Sequence, residues 1–119
     1  MIIAIDFDDT LFRYVPVLEG SRDFSGRSDS IGEPIWEWIN WAQTQRVCGH
    51  RLILWTCREG MALRHAMEAC KAVGLTFDAV NANLPDMCEP GQWPDSRKVK
   101  ADLYVDDKAR RAALELSAP

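Results

Sequence analysis

Hydrophobic residues arrive in short blocks, each followed closely by polar ones. Residues 2–5 read Ile-Ile-Ala-Ile and run directly into Asp6, Phe7, Asp8, Asp9 and Thr10. An uninterrupted, largely β-branched run of this kind suits a strand buried on both faces, as in the parallel sheets of α/β proteins. Residues 51–56 (Arg-Leu-Ile-Leu-Trp-Thr) repeat the pattern and end on a hydroxyl, and residues 77–80 and 102–105 give two shorter runs, the last followed by Asp106 and Asp107. Between the strands the period becomes helical. Pro34 suits a first helical turn, Ile35, Trp38, Ile39 and Ala42 follow on one face, and Gly49 is a stop. Trp36 and Trp41 widen that face; core packing is their simplest use, with a dimer contact or an aromatic substrate platform as alternatives. A second helix carries Leu63, Ala66, Met67, Cys70 and Val73 and is closed by Gly74. A third follows Asp107 and runs through about Leu116. Residues 12–32 and 81–97 have no sustained period and read as loops, the first as a loop or short flap.

Strands alternating with helices predict an α/β fold with a parallel sheet and right-handed crossovers. In such folds ligands bind at the carboxyl ends of the strands. Three carboxylates at one strand tip are hard to explain as structure alone, because two like charges about 4 Å apart repel by roughly 4 kcal/mol at an effective dielectric near 20. Either something cationic belongs there, or the turn is solvated and its carboxylates point away from one another. If the tips of strands one, two and four are to meet on one ligand, strand one must lie between the other two, since neighbouring strands are about 4.8 Å apart. The sheet order is then 3-2-1-4, with its switch point at Asp6.

Length and charge narrow the picture. The 119 residues are expected to form a single domain, 1–119, burying about two thirds of the unfolded surface. A formal charge of -4 and a pI near 5.1 leave no footprint for general nucleic-acid binding. Cys48, Cys57, Cys70 and Cys88 show no C-x-x-C spacing and read as reduced core thiols, hence a cytoplasmic location. No apolar run approaches the roughly 20 residues a membrane helix needs, and no signal peptide is expected.

The spacing Asp6-x-Asp8-x-Thr10, after a hydrophobic strand and before Leu11, resembles the first motif of the haloacid dehalogenase-like (HAD) phosphohydrolase superfamily. Thr56 is similar to the hydroxyl of its second motif, Lys98 or Lys100 to the lysine of its third, and Asp106 with Asp107 to the paired aspartates of its fourth. The four occur in the family's order and span nearly the whole chain. On an extended segment Lys98 and Lys100 face the same side, so periodicity leaves both open; Ser96-Arg97-Lys98 resembles small capless members and favours Lys98. Asp9 stands where many members have glycine, and aspartate tolerates left-handed backbone better than most residues. The two loops fall at the family's cap insertion points and are too short for a domain. The implied architecture is therefore a three-layer, Rossmann-like (HAD-like) sheet with helices on both faces, no cap domain, and a site open to solvent.

The resemblance also implies a division of labour. Asp6 would be the nucleophile, forming an aspartyl-phosphate. Asp8 would protonate the leaving oxygen and later deprotonate water. Thr56 and Lys98 would hold the phosphoryl oxygens. Asp106, with Asp107, the Asp6 carboxylate and the Asp8 carbonyl, would bind Mg2+, since an all-oxygen set beside phosphate suits that ion. The substrate would be a phosphorylated small molecule or polymer end. Arg58 would either reach a substrate phosphate or cap a carbonyl. Asp102 should lie at the far end of its strand, His50 and His65 away from the acidic tips, and Cys57 beside the site without a base partner. Two other classes compete: a phosphoacceptor receiver domain, whose motifs run in a different order with the acidic pair first, and a non-catalytic metal-binding interaction module. The Trp36/Trp41 helix offers a weak route to an oligomer.

Overall fold

The computed structural model describes residues 1–15, 31–84 and 99–106. β1 (Ile2–Ile5) is followed by α1 (Trp36–Val47), β2 (Arg51–Leu54), α2 (Gly60–Ala72), β3 (Ala79–Val80) and β4 (Leu103–Val105). All four strands are parallel in the order β3-β2-β1-β4, the arrangement expected from the acidic tips. The fold is a Rossmann-like α/β sheet with β1 in its interior.

Alternation along the strands sorts their side chains between two faces. Ile3 and Ile5 line up with Leu52 and Leu54 of β2 and with Leu103 and Val105 of β4. Both described helices cover this face: Trp38, Ile39 and Ala42 of α1 and Ala66 and Cys70 of α2 join it in one buried cluster. Side chains such as Ile3, Ile5, Leu52 and Leu54, with no exposed surface, contribute about 1.5–3 kcal/mol each relative to solvent exposure. The other face, Ile2, Ala4 and Ile53, packs on Leu84 and Val99, which flank the long connection from β3 back across the sheet to β4. Right-handed crossovers require this division, because the chain steps one way through β1, β2 and β3 and then returns. The third helix expected after Asp107 lies outside the described residues, so helices are described on one face only, and the two sites of cap insertion are largely outside them as well.

Several local expectations are corrected. Pro34 is not in the first helical turn: it pairs in antiparallel fashion with Phe12, and α1 begins two residues later. Arg13 N donates to the Glu33 carbonyl at 2.9 Å and Ile35 N to that of Leu11 at 2.8 Å, so residues 11–13 and 33–35 are paired. Trp36 is 52% exposed and does not belong to the core, whereas Trp41 does, edge-on to Trp38 at 5.4 Å between ring centroids. Met67 is likewise exposed, leaving Ala62, Ala66 and Cys70 as the buried stripe of α2. The glycine stop of α2 is confirmed in detail. Gly74 takes φ +82°, its N–H donates to the Lys71 carbonyl and that of Leu75 to Cys70, the double closure that a left-handed residue allows. No helix among the described residues is long and apolar enough to cross a membrane.

Candidate active site at the carboxyl edge

The ladders continue one residue past the strands and set their ends level. Asp6 N donates to the Val105 carbonyl at 2.9 Å, Trp55 N to Ile5 at 2.9 Å, and Asn81 N to Leu54 at 2.7 Å. Asp6 therefore leaves the sheet beside Asp106 on one side and the Trp55-Thr56 pair on the other, each neighbouring strand about 4.8 Å away. Asp6, Thr56 and Asp106 are all partly exposed. Asp102 sits at the opposite end, where its carboxylate accepts from Ile2 N at 2.6 Å, and His50 is there too, within 3.2 Å of the terminal amine. His65 lies in α2, away from the strand tips.

Beyond β1 the chain coils tightly. The Phe7 carbonyl accepts from the N–H groups of Thr10, Leu11 and Phe12, and Phe7 N donates to Asp6 Oδ1 at 2.7 Å. Asp9 occupies the left-handed region at φ 58°, which aspartate tolerates better than most residues, and its carboxylate accepts from Tyr14 N at 2.8 Å. Thr10 is fully buried, and its hydroxyl has no hydrogen-bond partner among the described residues, a rare condition for a buried polar group.

Asp8 is gripped from below. Arg58 Nε donates to Asp8 Oδ2 at 2.9 Å and Nη2 to Asp8 Oδ1 at 2.8 Å, with the arginine side chain 1% exposed and that of Asp8 22%. Arg58 Nη1 reaches the Ala62 carbonyl at 3.3 Å, so the carbonyl-capping alternative read from sequence is realised, and the expected phosphate-binding role meets a guanidinium that is buried and engaged by a carboxylate. On the β2 side, Thr56 N donates to Asn81 Oδ1 at 2.8 Å, and Thr56 Oγ1 accepts from Arg58 N at 3.2 Å. Asn81 itself is left-handed at φ 50° and ties the ends of β2 and β3 together. Sequence reasoning missed the Asp8–Arg58 pair and the Asn81 tie. The signal for the second was present, an asparagine immediately after a strand; nothing in the sequence told which carboxylate Arg58 would meet.

Lys98 and Asp107 lie outside the described residues. Lys100 is exposed, and its backbone N–H donates to Asn83 Oδ1 at 2.6 Å. Among the described residues no three His, Cys, Asp or Glu side chains converge as a metal set; the donor set available at the edge is two carboxylates on adjacent strands, Asp6 and Asp106, all oxygen and suited to a hard divalent cation. Cys57 is exposed beside the site, Cys48 is exposed at the end of α1, and Cys70 is the one described thiol in the core, where burial pushes it up from 9.0 to about 12.

The geometry defines a parallel α/β protein whose switch point carries an acidic, partly exposed edge. In the search of solved structures, a conserved protein from Bacteroides thetaiotaomicron matches with 40% sequence identity and a TM-score of 0.69, over 91% of this chain and 76% of that one. The chain belongs to the same family as that conserved protein. No protein-family model and no curated protein matches it.

Proposed function

We propose that the chain is a magnesium-dependent phosphomonoester phosphatase that works through an aspartyl-phosphate on Asp6, with Asp8 as general acid and base. The observation that carries this reading is the level alignment of three strand ends, which brings Asp6, Thr56 and Asp106 to one edge of the sheet. Asp6 attacks phosphorus as the ester bond breaks, and the leaving oxygen takes a proton from the Asp8 carboxyl. Water then attacks the same phosphorus, gives its proton to Asp8, and the Asp6–phosphorus bond breaks to release phosphate. Thr56 holds a phosphoryl oxygen, and Lys98 supplies positive charge where negative charge accumulates. Asp6 and Asp106, with the Asp8 carbonyl and Asp107, would hold magnesium, which when bound offsets phosphate charge. The unbridged Cys48, Cys57 and Cys70 support a reducing, cytoplasmic setting for this activity.

The test is hydrolysis of p-nitrophenyl phosphate. The wild-type protein should turn it over with magnesium and stop when the ion is chelated, and Asp6→Asn should fall to background while keeping its circular dichroism. Magnesium should also raise the melting temperature of the wild type, by mass action, more than that of Asp106→Asn. Wild-type rates in Asp6→Asn would remove the nucleophile assignment, and equal melting shifts in the two proteins would remove the metal assignment.

A further inference from the structure

Among the described residues Arg58 is the largest side chain with essentially no exposure, and it is a charge. Burying a guanidinium costs several kcal/mol unless its donors are met, so its contacts report what it is for. Three separate features fix it. Its N–H is anchored on the Thr56 hydroxyl, its Nη1 on the Ala62 carbonyl in the first turn of α2, and its central carbon stands 4.8 Å from the centroid of the Phe7 ring, between Asp6 and Asp8 in sequence. The remaining face of the fork, Nε and Nη2, meets both oxygens of Asp8. An ion pair on the surface would be held by none of these and would be worth little.

We infer that Arg58 is the positioning residue of the acid/base carboxylate. It fixes the plane of the Asp8 carboxyl from the protein side and reserves the outward acceptor positions for the leaving oxygen and the attacking water. The inference rests on the phosphatase reading and adds to it the group that aims Asp8. A carboxylate offers about four acceptor positions, of which a bidentate guanidinium takes two. One position on each oxygen remains, on a side chain that is 22% open to solvent. In the first half-reaction the proton on such a position passes to the ester oxygen as its bond to phosphorus breaks. In the second the attacking water returns a proton to Asp8 as the Asp6–phosphorus bond breaks. Arg58 keeps its own protons throughout, because guanidinium does not deprotonate in proteins. Lysine cannot substitute, since a single ammonium has no planar fork with which to set the carboxyl plane.

Two aryl esters that differ by one para-nitro group separate this role from a structural one. Phenoxide is a poor leaving group and depends on protonation; p-nitrophenoxide leaves without much help. In Arg58→Lys, kcat for phenyl phosphate should fall about a hundredfold, within the range general acid catalysis contributes, while p-nitrophenyl phosphate loses about threefold or less and KM for both stays put. Asp8→Glu, which leaves Arg58 intact and moves the carboxyl by one methylene, should show the same bias and serves if Arg58→Lys does not fold. Equal fractional losses on the two esters in these variants would overturn the positioning role while leaving the phosphatase standing. Hydrolysis of neither ester by the wild-type protein with magnesium would bring down the phosphatase reading, and the positioning role with it.

Discussion

Asp8→Ala and Arg58→Met remove opposite halves of one ion pair, and their costs should differ because the two halves differ in access to water. In Asp8→Ala a guanidinium that is 1% exposed loses the carboxylate that accepts from two of its nitrogens; in Arg58→Met a carboxylate that is 22% exposed loses its cation but can still be hydrated. Removing one partner of a buried pair costs about 3–5 kcal/mol when the remaining charge stays sealed. Since Arg58 retains the Ala62 carbonyl and the Phe7 ring, Asp8→Ala belongs near the lower end, about 3 kcal/mol. Methionine fills the volume of the arginine stem, and the Asp8 carboxylate left behind can be hydrated, so Arg58→Met should cost about 1 kcal/mol. In a domain of this size 1 kcal/mol moves the melting temperature by roughly 3–5 °C, which separates the variants by about 6–10 °C. Urea unfolding followed by tryptophan fluorescence reads the difference directly, because Trp38 and Trp41 are in the main core cluster. The double variant should be more stable than Asp8→Ala alone, since it no longer buries the charge. If Arg58→Met proves the more damaging single change, the guanidinium holds the site through Ala62 and Phe7 and its grip on Asp8 is incidental.

The Cys70 thiol is pushed up from 9.0 to about 12 by burial, so the folded protein keeps a proton that the unfolded chain releases above about pH 9. This contribution to stability is complete below pH 9 and is lost as pH rises toward 12, by up to about 1.36 kcal/mol per unit. Cys70→Ala should flatten the alkaline decline of urea-measured stability, and an unchanged slope would show that another group causes it. In the phosphatase assay Lys98→Ala should lower kcat far more than Lys100→Ala; the reverse ranking would move the phosphate-binding role to Lys100.

The sheet was legible because its strands are of a kind that alternation does not describe. Ile2–Ile5 and Arg51–Leu54 are buried on both faces, and a continuous apolar run is the signature of that situation. The order followed from the tips: three polar ends can meet on one ligand only if β1 lies between β2 and β4. Local boundaries were harder to read. Pro34 satisfies the rules for a first helical turn, yet an antiparallel pairing with Phe12, 22 positions earlier, claims it. Trp36 and Trp41 are both apolar and both in α1, but only one lies within the arc that meets the sheet; a tryptophan beside the arc and one within it look alike when the face is broad.

The site shows the same divide between what a strand end dictates and what a long side chain chooses. Asp6 is held by a backbone hydrogen bond one residue beyond β1, Thr56 by its N–H on the Asn81 side chain two residues beyond β2, and Asp106 directly follows β4, so position in sequence is nearly position in space. Arg58 is two residues past β2's polar end on a flexible stem, with Asp6, Asp8, Asp9 and Asp106 all at the same edge. Coulomb attraction favours any of them. The choice of Asp8 comes from packing: the Phe7 ring and the Ala62 carbonyl confine the guanidinium to a buried slot, and the carboxylate it meets there is the one two residues after Asp6. That selection is also what gives Asp8 a different environment from Asp6, whose Oδ1 accepts from the Phe7 backbone N–H. Two carboxylates in one tight coil thus have different partners, a guanidinium for Asp8 and a backbone amide for Asp6.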